Sequence, residues 1–290
     1  MRYYETTELT PVVAAVPTYN MATEVAGLLP QLLEQGYDKV FVLDDGSTEE
    51  SATELQELVS GKVELIKSNL NVGTAATRNK IIPELKARAM GPETIINFCD
   101  ADMEIQPHDA PVAETAKRLM RQHRAAGMIG SVVLNPDKTW SAFNYGPLVS
   151  AKYFAGVPFL ARLEQLTKVD LESATEFYKK YYALLNDSPN PAEIPEAREV
   201  GWLAEGFHFI RAGELDAAGG YDSKMRYLEA LDIAAKLESR GLKRVFDPSI
   251  TVRHLQVDVR GSARTKEIAG GITRYTRNYL GGKYKRKSGN

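Results

Sequence analysis

Ile95-Ile96-Asn97-Phe98-Cys99-Asp100-Ala101-Asp102 reads as a short buried strand that ends in two carboxylates. The apolar run Ile95, Ile96, Phe98 and Cys99 offers no polar face, the mark of an interior strand covered on both sides. In an open α/β sheet the end of such a strand is the edge where ligands bind. Two carboxylates one residue apart can chelate a hard divalent cation and leave positions open for phosphate oxygens. Asp is also common in solvated turns, and so short a motif often arises by chance. The rest of the chain decides between these readings.

Upstream, residues 12–16 form an apolar run of strand length that ends at Pro17-Thr18-Tyr19-Asn20, which must be a loop. Val25, Leu28, Leu29, Leu32 and Leu33 then make a helical stripe, stopped by Gly36. A second buried strand over 40–43 runs into Asp44-Asp45-Gly46-Ser47-Thr48, again carboxylates at a strand end. Residues 51–59 read as a helix, 63–66 as a strand, and 73–89 as one long helix bearing Arg78 and Asn79. The pattern β-α-β-α-β-α-β predicts an α/β fold, a mostly parallel sheet flanked by helices on both faces. In such a sheet the loops at Thr18/Tyr19/Asn20, Asp44/Asp45 and Asp100/Asp102 face one crevice. Their convergence argues for a site rather than three turns.

The bulk properties bound the function. Of 290 residues, 43% are hydrophobic and 26% charged, an ordinary globular balance. A net charge of −2 gives no sign of a nucleic-acid partner. The charge is uneven, however, with about +8 from Arg253 onward and about −10 before it. Cys99 is the one cysteine, so no intrachain disulfide can form. It reads as core rather than nucleophile, and a reducing, cytoplasmic setting fits. The first residues lack the apolar stretch of a signal peptide, and no run reaches membrane-spanning length. There is no G-x-G-x-x-G after the first strand and no P-loop, so any nucleotide is held without those phosphate cradles. Metal-mediated neutralisation of phosphates, at Asp100 and Asp102, is the natural substitute.

Beyond Asp102, a helix over about 109–124 leads to an apolar stretch at 128–134, and residues 140–149 look extended. Residues 160–185 read as a helical, aromatic-rich block with Phe177, Tyr178, Tyr181 and Tyr182, serving as packing or as a wall over an acceptor. A strand over 205–211 is entered through Gly206, and a short helix over 212–217 ends at Gly219-Gly220-Tyr221-Asp222. An amphipathic helix over 228–238 carries Glu229 and Asp232 in its first turns, where acids also favour the helix dipole. Short strands at 245–246 and 250–252 lead into Arg253-His254. A tail helix over 267–280 places Ile268, Ile272, Tyr275 and Tyr279 on one face.

Taken together, VPTYN at 16–20, VLDDGST at 42–48, NVGTAATRN at 71–79, CDAD at 99–102, EGFHFIRA at 205–212, GGYD at 219–222, EALD at 229–232 and the histidine of VRHL at 252–255 resemble a family-2 glycosyltransferase of the GT-A fold. The segment 140–200 and the extreme C-terminus carry none of these motifs. The resemblance implies a GT-A domain over 1–255, with a nucleotide-sugar half at about 1–135, an acceptor half at about 136–255 and a helical insertion at about 154–200. Residues 256–290 would be a basic helical extension.

The resemblance also implies roles. Pro17, Thr18, Tyr19, Asn20, Asp44 and Asp45 would hold the base and ribose of a nucleoside-diphosphate sugar, UDP favoured. Gly73, Arg78 and Asn79 would order the nucleotide side, with Asp100 and Ala101 at the diphosphate. Asp100 and Asp102 would bind Mg²⁺ or Mn²⁺, completed by His254. Glu205, Gly206, Gly220 and Asp222 would lie on the acceptor side. The implied reaction is transfer to an acceptor hydroxyl with inversion, in glycan or polysaccharide assembly, and it needs a general base. Here the chain departs from the family, because Ala230 stands where the usual aspartate base would be. Glu229 and Asp232, three residues apart on one helical face, are the candidates, with Glu205 or Asp222 as a third choice. A nucleotide-sugar-binding protein with little or no transfer is the alternative. A pyrophosphorylase is disfavoured by the lack of a Gly-rich, Arg-containing N-terminal loop. The basic tail can meet anionic lipid headgroups or a phosphorylated acceptor, and a polyprenyl-linked acceptor would unite both. Whether the acceptor is a glycan, a lipid-linked group or a protein stays open.

Overall fold

The computed structural model describes residues 4–141, 143–147, 196–257 and 263–285. The aromatic block expected over 160–185, nearly all of the expected insertion and the side chain of Ile268 lie outside the described residues. The strands are β1 Val12–Thr18, β2 Lys39–Asp44, β3 Val63–Ile66, β4 Ile95–Cys99, β5 Met103–Ile105, β6 Ala126–Leu134, β7 Tyr145–Gly146, β8 Arg198–Val200, β9 Trp202–Leu203, β10 Phe207–Arg211 and β11 Lys243–His254. The helices are α1 Ala22–Glu34, α2 Glu49–Glu57, α3 Thr74–Asn79, α4 Ile81–Ala87, α5 Val112–Gln122, α6 Ala212–Ala217, α7 Glu229–Ser239 and α8 Ala263–Leu280.

The main sheet runs β3-β2-β1-β4-β10-β6-β11-β5, with β8 on β11. β1, β2, β3 and β4 are mutually parallel, as the alternation of strands and helices predicts. β1 and β4 show why both faces are apolar. Val12, Ala14, Val16, Ile95 and Cys99 pack into the core on one side. Val13, Ala15, Ile96 and Phe98 pack into the core on the other. Cys99 is fully buried and free, as expected of a core thiol. The polar exception, Asn97, accepts from the Tyr37 hydroxyl at 2.7 Å and donates to the His208 carbonyl at 3.1 Å, so its burial is satisfied.

Antiparallel β10 lies between β4 and β6, pairing Phe207 with Cys99. It therefore starts at the edge where β4 ends, and the Asp100 amide donates to the Gly206 carbonyl at 2.8 Å. At the far side β5, just after the D-x-D, pairs with the end of β11 and sets His254 opposite Met103.

Three local expectations differ from what is observed. The helix expected over 73–89 is two, α3 and α4, with Lys80 between them. Pro83 has no N–H to give the Asn79 carbonyl, so the hydrogen-bond ladder breaks there. The two short strands near 245 and 250 are one strand, β11, whose register against β6 shifts between Phe246 and Thr251. Of the extended stretch 140–149, the described part supplies the Leu134–Trp140 bridge and β7. The C-terminal helix α8 packs on α7, where Ile272 and Tyr275 join Trp202, Met225, Leu231 and Ala234 in a third apolar cluster.

Candidate functional site

Strand β1 leads to β2 on one side and has β4 on the other, so the sheet order reverses at β1. A crevice opens at such a switch point, beyond the C-terminal ends of the strands. Thr18 and Asp44 end paired strands in register, and Asp100 follows β4 at the same edge. The three loops singled out from sequence thus do converge.

Several residues in those loops work within the protein. Asn20, in the left-handed region at φ 54°, ties the first two loops together. Its amide donates to Ser47 Oγ at 2.8 Å, and its Oδ1 accepts from the Thr48 amide at 2.8 Å. Asp44 Oδ1 accepts from the Ser47 hydroxyl at 2.6 Å. Asp45 is more committed: Oδ1 accepts from the Val72 amide and the Thr77 hydroxyl at 2.8 and 2.7 Å, and Oδ2 from the Gly73 amide at 2.8 Å. Its carboxylate anchors the loop that starts α3. By contrast the Thr18 hydroxyl is buried with no hydrogen-bond partner. Pro17 and Ala101 are buried beside these loops, and Tyr19 is half-buried.

Arg78 is not on the crevice surface, since its side chain is only 2% exposed. Its Nη2 donates to Asp100 Oδ1 at 2.9 Å and to the Glu205 carbonyl at 3.2 Å, and its Nη1 lies 3.4 Å from Glu205 Oε1. The guanidinium also sits over the rings of Phe98 and Tyr221, at 5.8 and 5.5 Å. Burial alone would lower its pKa, but the Glu205 and Asp100 carboxylates raise it further, so it stays a cation. Beneath it lies a buried neutral pair. Burial and the Arg78 charge push the His208 imidazole well below its usual range. Nδ1 must then donate to the Glu205 carbonyl at 3.0 Å, which leaves Nε2 to accept from the Tyr221 hydroxyl at 2.8 Å. Burial pushes the Glu205 carboxyl well above its ordinary range; Arg78 pulls it down, and the Glu229 and Asp100 charges push it up. Arg78, Asp100, Glu205 and Glu229 are therefore one electrostatic cluster.

Asn79 clamps the turn after α6. Its Nδ2 donates to the Tyr221 carbonyl at 2.9 Å, and its Oδ1 accepts from the Tyr221 amide at 2.8 Å. Gly220, at φ 66°, is required by that approach, because a Cβ there would lie 2.5 Å from Asn79 Oδ1. Gly73, at φ 92°, lies under Arg226, which donates to Asn71 Oδ1 at 2.6 Å.

Asp102 and His254 come together: His254 Nε2 is 3.1 Å from Asp102 Oδ2, which also accepts from the Val257 amide at 2.9 Å. Asp100 turns one oxygen to Arg78 instead. Among the described residues no three His, Cys, Asp or Glu side chains gather into a complete metal cage. Mg²⁺-type ions at phosphate sites take one or two protein carboxylates and complete their shell with phosphate and water. An Asp102–His254 pair fits that partial donor set.

Asp232 is fully buried and holds four donors or cations, so it is closed to an acceptor. Asp222 is likewise engaged on both oxygens. Of the four carboxylates weighed from sequence as the base, Glu229 and Glu205 alone face the Arg78 cluster. Sequence reasoning missed the His208–Tyr221 pair and the clamp on Asp222. The Asp232–Lys236 ion pair, at helical i,i+4 spacing, was the one legible signal for that buried network.

The family model described as "Glycosyl transferase family 2" matches residues 14–165, just over half of the chain. No curated protein sequence matches. Among solved structures, GalNAc-T7, crystallised with UDP, GalNAc and Mn²⁺, superposes with a TM-score of 0.51 at 14% identity, covering 86% of this chain and 44% of that one. TarS 1-349 of S. aureus superposes with a TM-score of 0.51 at 14% identity, covering 93% of this chain and 72% of that one. The chain spans less than half the length of the first of these. Both likenesses show the fold, which is of the GT-A type.

Proposed function

The chain belongs to glycosyl transferase family 2, and from that premise we propose that it transfers a sugar from a nucleoside-diphosphate sugar, UDP favoured, to an acceptor hydroxyl with inversion. The observation that carries this reading is the common edge shared by the unpartnered Thr18 hydroxyl, Asp100 and the Asp102–His254 pair, with the Glu229 charge acting on the Arg78 guanidinium that holds Asp100. Thr18 supplies a hydrogen bond to the nucleotide. Asp102 and His254 would hold Mg²⁺ or Mn²⁺, which when bound would supply Lewis-acid stabilisation of the leaving diphosphate. Arg78 fixes Asp100 and Glu205 without touching donor. Glu229 takes the acceptor proton in the role that Ala230 cannot fill. The nucleotide-sugar half is about 1–135 and the acceptor half about 136–255.

The lone cysteine, Cys99, buried and free, supports a reducing, cytoplasmic setting. No helix among the described residues is long and apolar enough to cross a membrane. The contact with anionic lipid read from the basic tail has fewer cations to draw on, since Arg274 and Lys283 face Asp222. The second reading, a nucleotide-sugar-binding protein without transfer, is favoured by Ala230 alone.

A thermal-shift and hydrolysis screen with UDP-, TDP- and GDP-sugars, with and without Mn²⁺, tests the proposal. Wild type should be stabilised by one nucleotide class in a metal-dependent way and should release the nucleoside diphosphate. Asp102→Ala should lose the metal-dependent part. A folded wild type that no donor stabilises would sink the proposal.

A further inference from the structure

Within the described residues, the basic C-terminal segment turns cations toward two buried carboxylates. Asp222 Oδ1 accepts from Arg274 Nη2 at 2.7 Å, and its Oδ2 accepts from Asn278 Nδ2 at 2.8 Å and from Lys283 Nζ at 2.9 Å. Asp232 Oδ1 accepts from the Tyr284 hydroxyl at 2.7 Å, while Oδ2 accepts from Lys236 Nζ at 2.6 Å and from the Asp222 amide at 2.9 Å. Arg274 and Asn278 lie four residues apart on one face of α8, so both reach the same carboxylate. Burial would raise the Asp222 carboxyl, yet Arg274, Lys283 and Asn278 hold it well below the usual range.

The apolar side of the same segment is equally committed. Tyr275 stacks on Tyr284 with ring centroids 5.5 Å apart, and both pack in the cluster around Leu231 and Met225. Gly271 brings α8 against the turn before α7, since a Cβ there would lie 2.3 Å from the Tyr227 carbonyl oxygen. In the middle of this contact stands Leu228, at φ 64°. A branched aliphatic residue keeps that left-handed conformation only where its surroundings over-determine it. The next residue is Glu229.

We propose that residues 271–284 are a positioning element for Glu229: they clamp Asp222 and Asp232, hold the Leu228 turn, and so set the first turn of α7. The inference rests on the reading of Glu229 as the group that takes the acceptor proton. It gives the tail's cations an intramolecular partner. None of the contacts named above reaches β1, β2 or β4 directly.

The test uses the full chain carrying Lys283→Met or Tyr284→Phe, with Lys283→Arg as the conservative variant. Hydrogen exchange, UDP binding with Mn²⁺, and UDP release from UDP-GlcNAc are measured on each. Exchange at 221–232 should rise about tenfold in the Met and Phe variants while the β1, β2 and β4 amides stay unchanged. The affinity for UDP with Mn²⁺ should stay within about twofold, and kcat should fall by roughly ten- to a hundredfold with KM for the donor little altered. Lys283→Arg should restore most of kcat. Unchanged exchange at 221–232, or full kcat despite faster exchange, would overturn the positioning role. A wild type that neither binds nor turns over any of the UDP-, TDP- and GDP-sugars, with exchange rising as expected, would overturn the transferase reading and leave the clamp standing.

Discussion

Asp45 was read from sequence as a contact for the nucleotide base, but its carboxylate accepts from Val72 N, Gly73 N and Thr77 Oγ1. Replacing it with alanine removes a charged acceptor from three donors at a site where Asp45 is only 5% exposed. Hydrogen bonds to a charged group contribute about 1.5–3 kcal/mol each, and leaving buried donors unmatched costs a similar amount. Because the three donors share one acceptor, their losses do not add in full, and a total of about 3–5 kcal/mol follows. For a chain of this size that lowers the melting midpoint by roughly 5–8 °C. Asp45→Asn should fall between wild type and Asp45→Ala. The two oxygens face different donors, so an amide nitrogen must confront one of them. Differential scanning calorimetry without ligand, followed by titration with UDP and Mn²⁺, separates the roles. A midpoint for Asp45→Ala within about 2 °C of wild type, with UDP affinity lost, would refute the anchoring argument and return Asp45 to the nucleotide.

Two further outcomes follow from the geometry. Gly220→Ala forces a side chain into the left-handed region at φ 66° and against Asn79 Oδ1, so urea denaturation should show at least about 1–2 kcal/mol of lost stability, and a loss below about 0.5 kcal/mol would contradict the Asn79 clamp. His208 is held neutral, with its pKa depressed in the fold. Above about pH 6.5 both folded and unfolded states carry it uncharged, and below that the unfolded state binds a proton the folded state refuses, so stability falls as pH drops. His208→Gln should flatten the stability slope between about pH 7 and 5, and an unchanged slope would show that other groups set it.

The features legible in the chain were those set by neighbours in sequence. An apolar run at 95–99 with carboxylates at its end needs burial on both faces wherever it is placed, and β4 has it. Strand–helix alternation over the first hundred residues dictates a parallel sheet, and with it one edge shared by Thr18, Asp44 and Asp100. Gly219-Gly220 marked the end of the short helix over 212–217, and both take left-handed φ there.

The tertiary structure decided which charge meets which. Arg78 bonds to Glu205, 127 residues away, only because β10 inserts antiparallel beside β4 and starts where β4 ends. His254 reaches Asp102 because β11 returns along β5. Lys283, 61 residues beyond Asp222, reaches it because α8 packs its apolar face on α7. Local patterning sets what each segment must bury. Coulombic and hydrogen-bond partnerships depend on distances of a few ångströms, which exist only once the segments are packed.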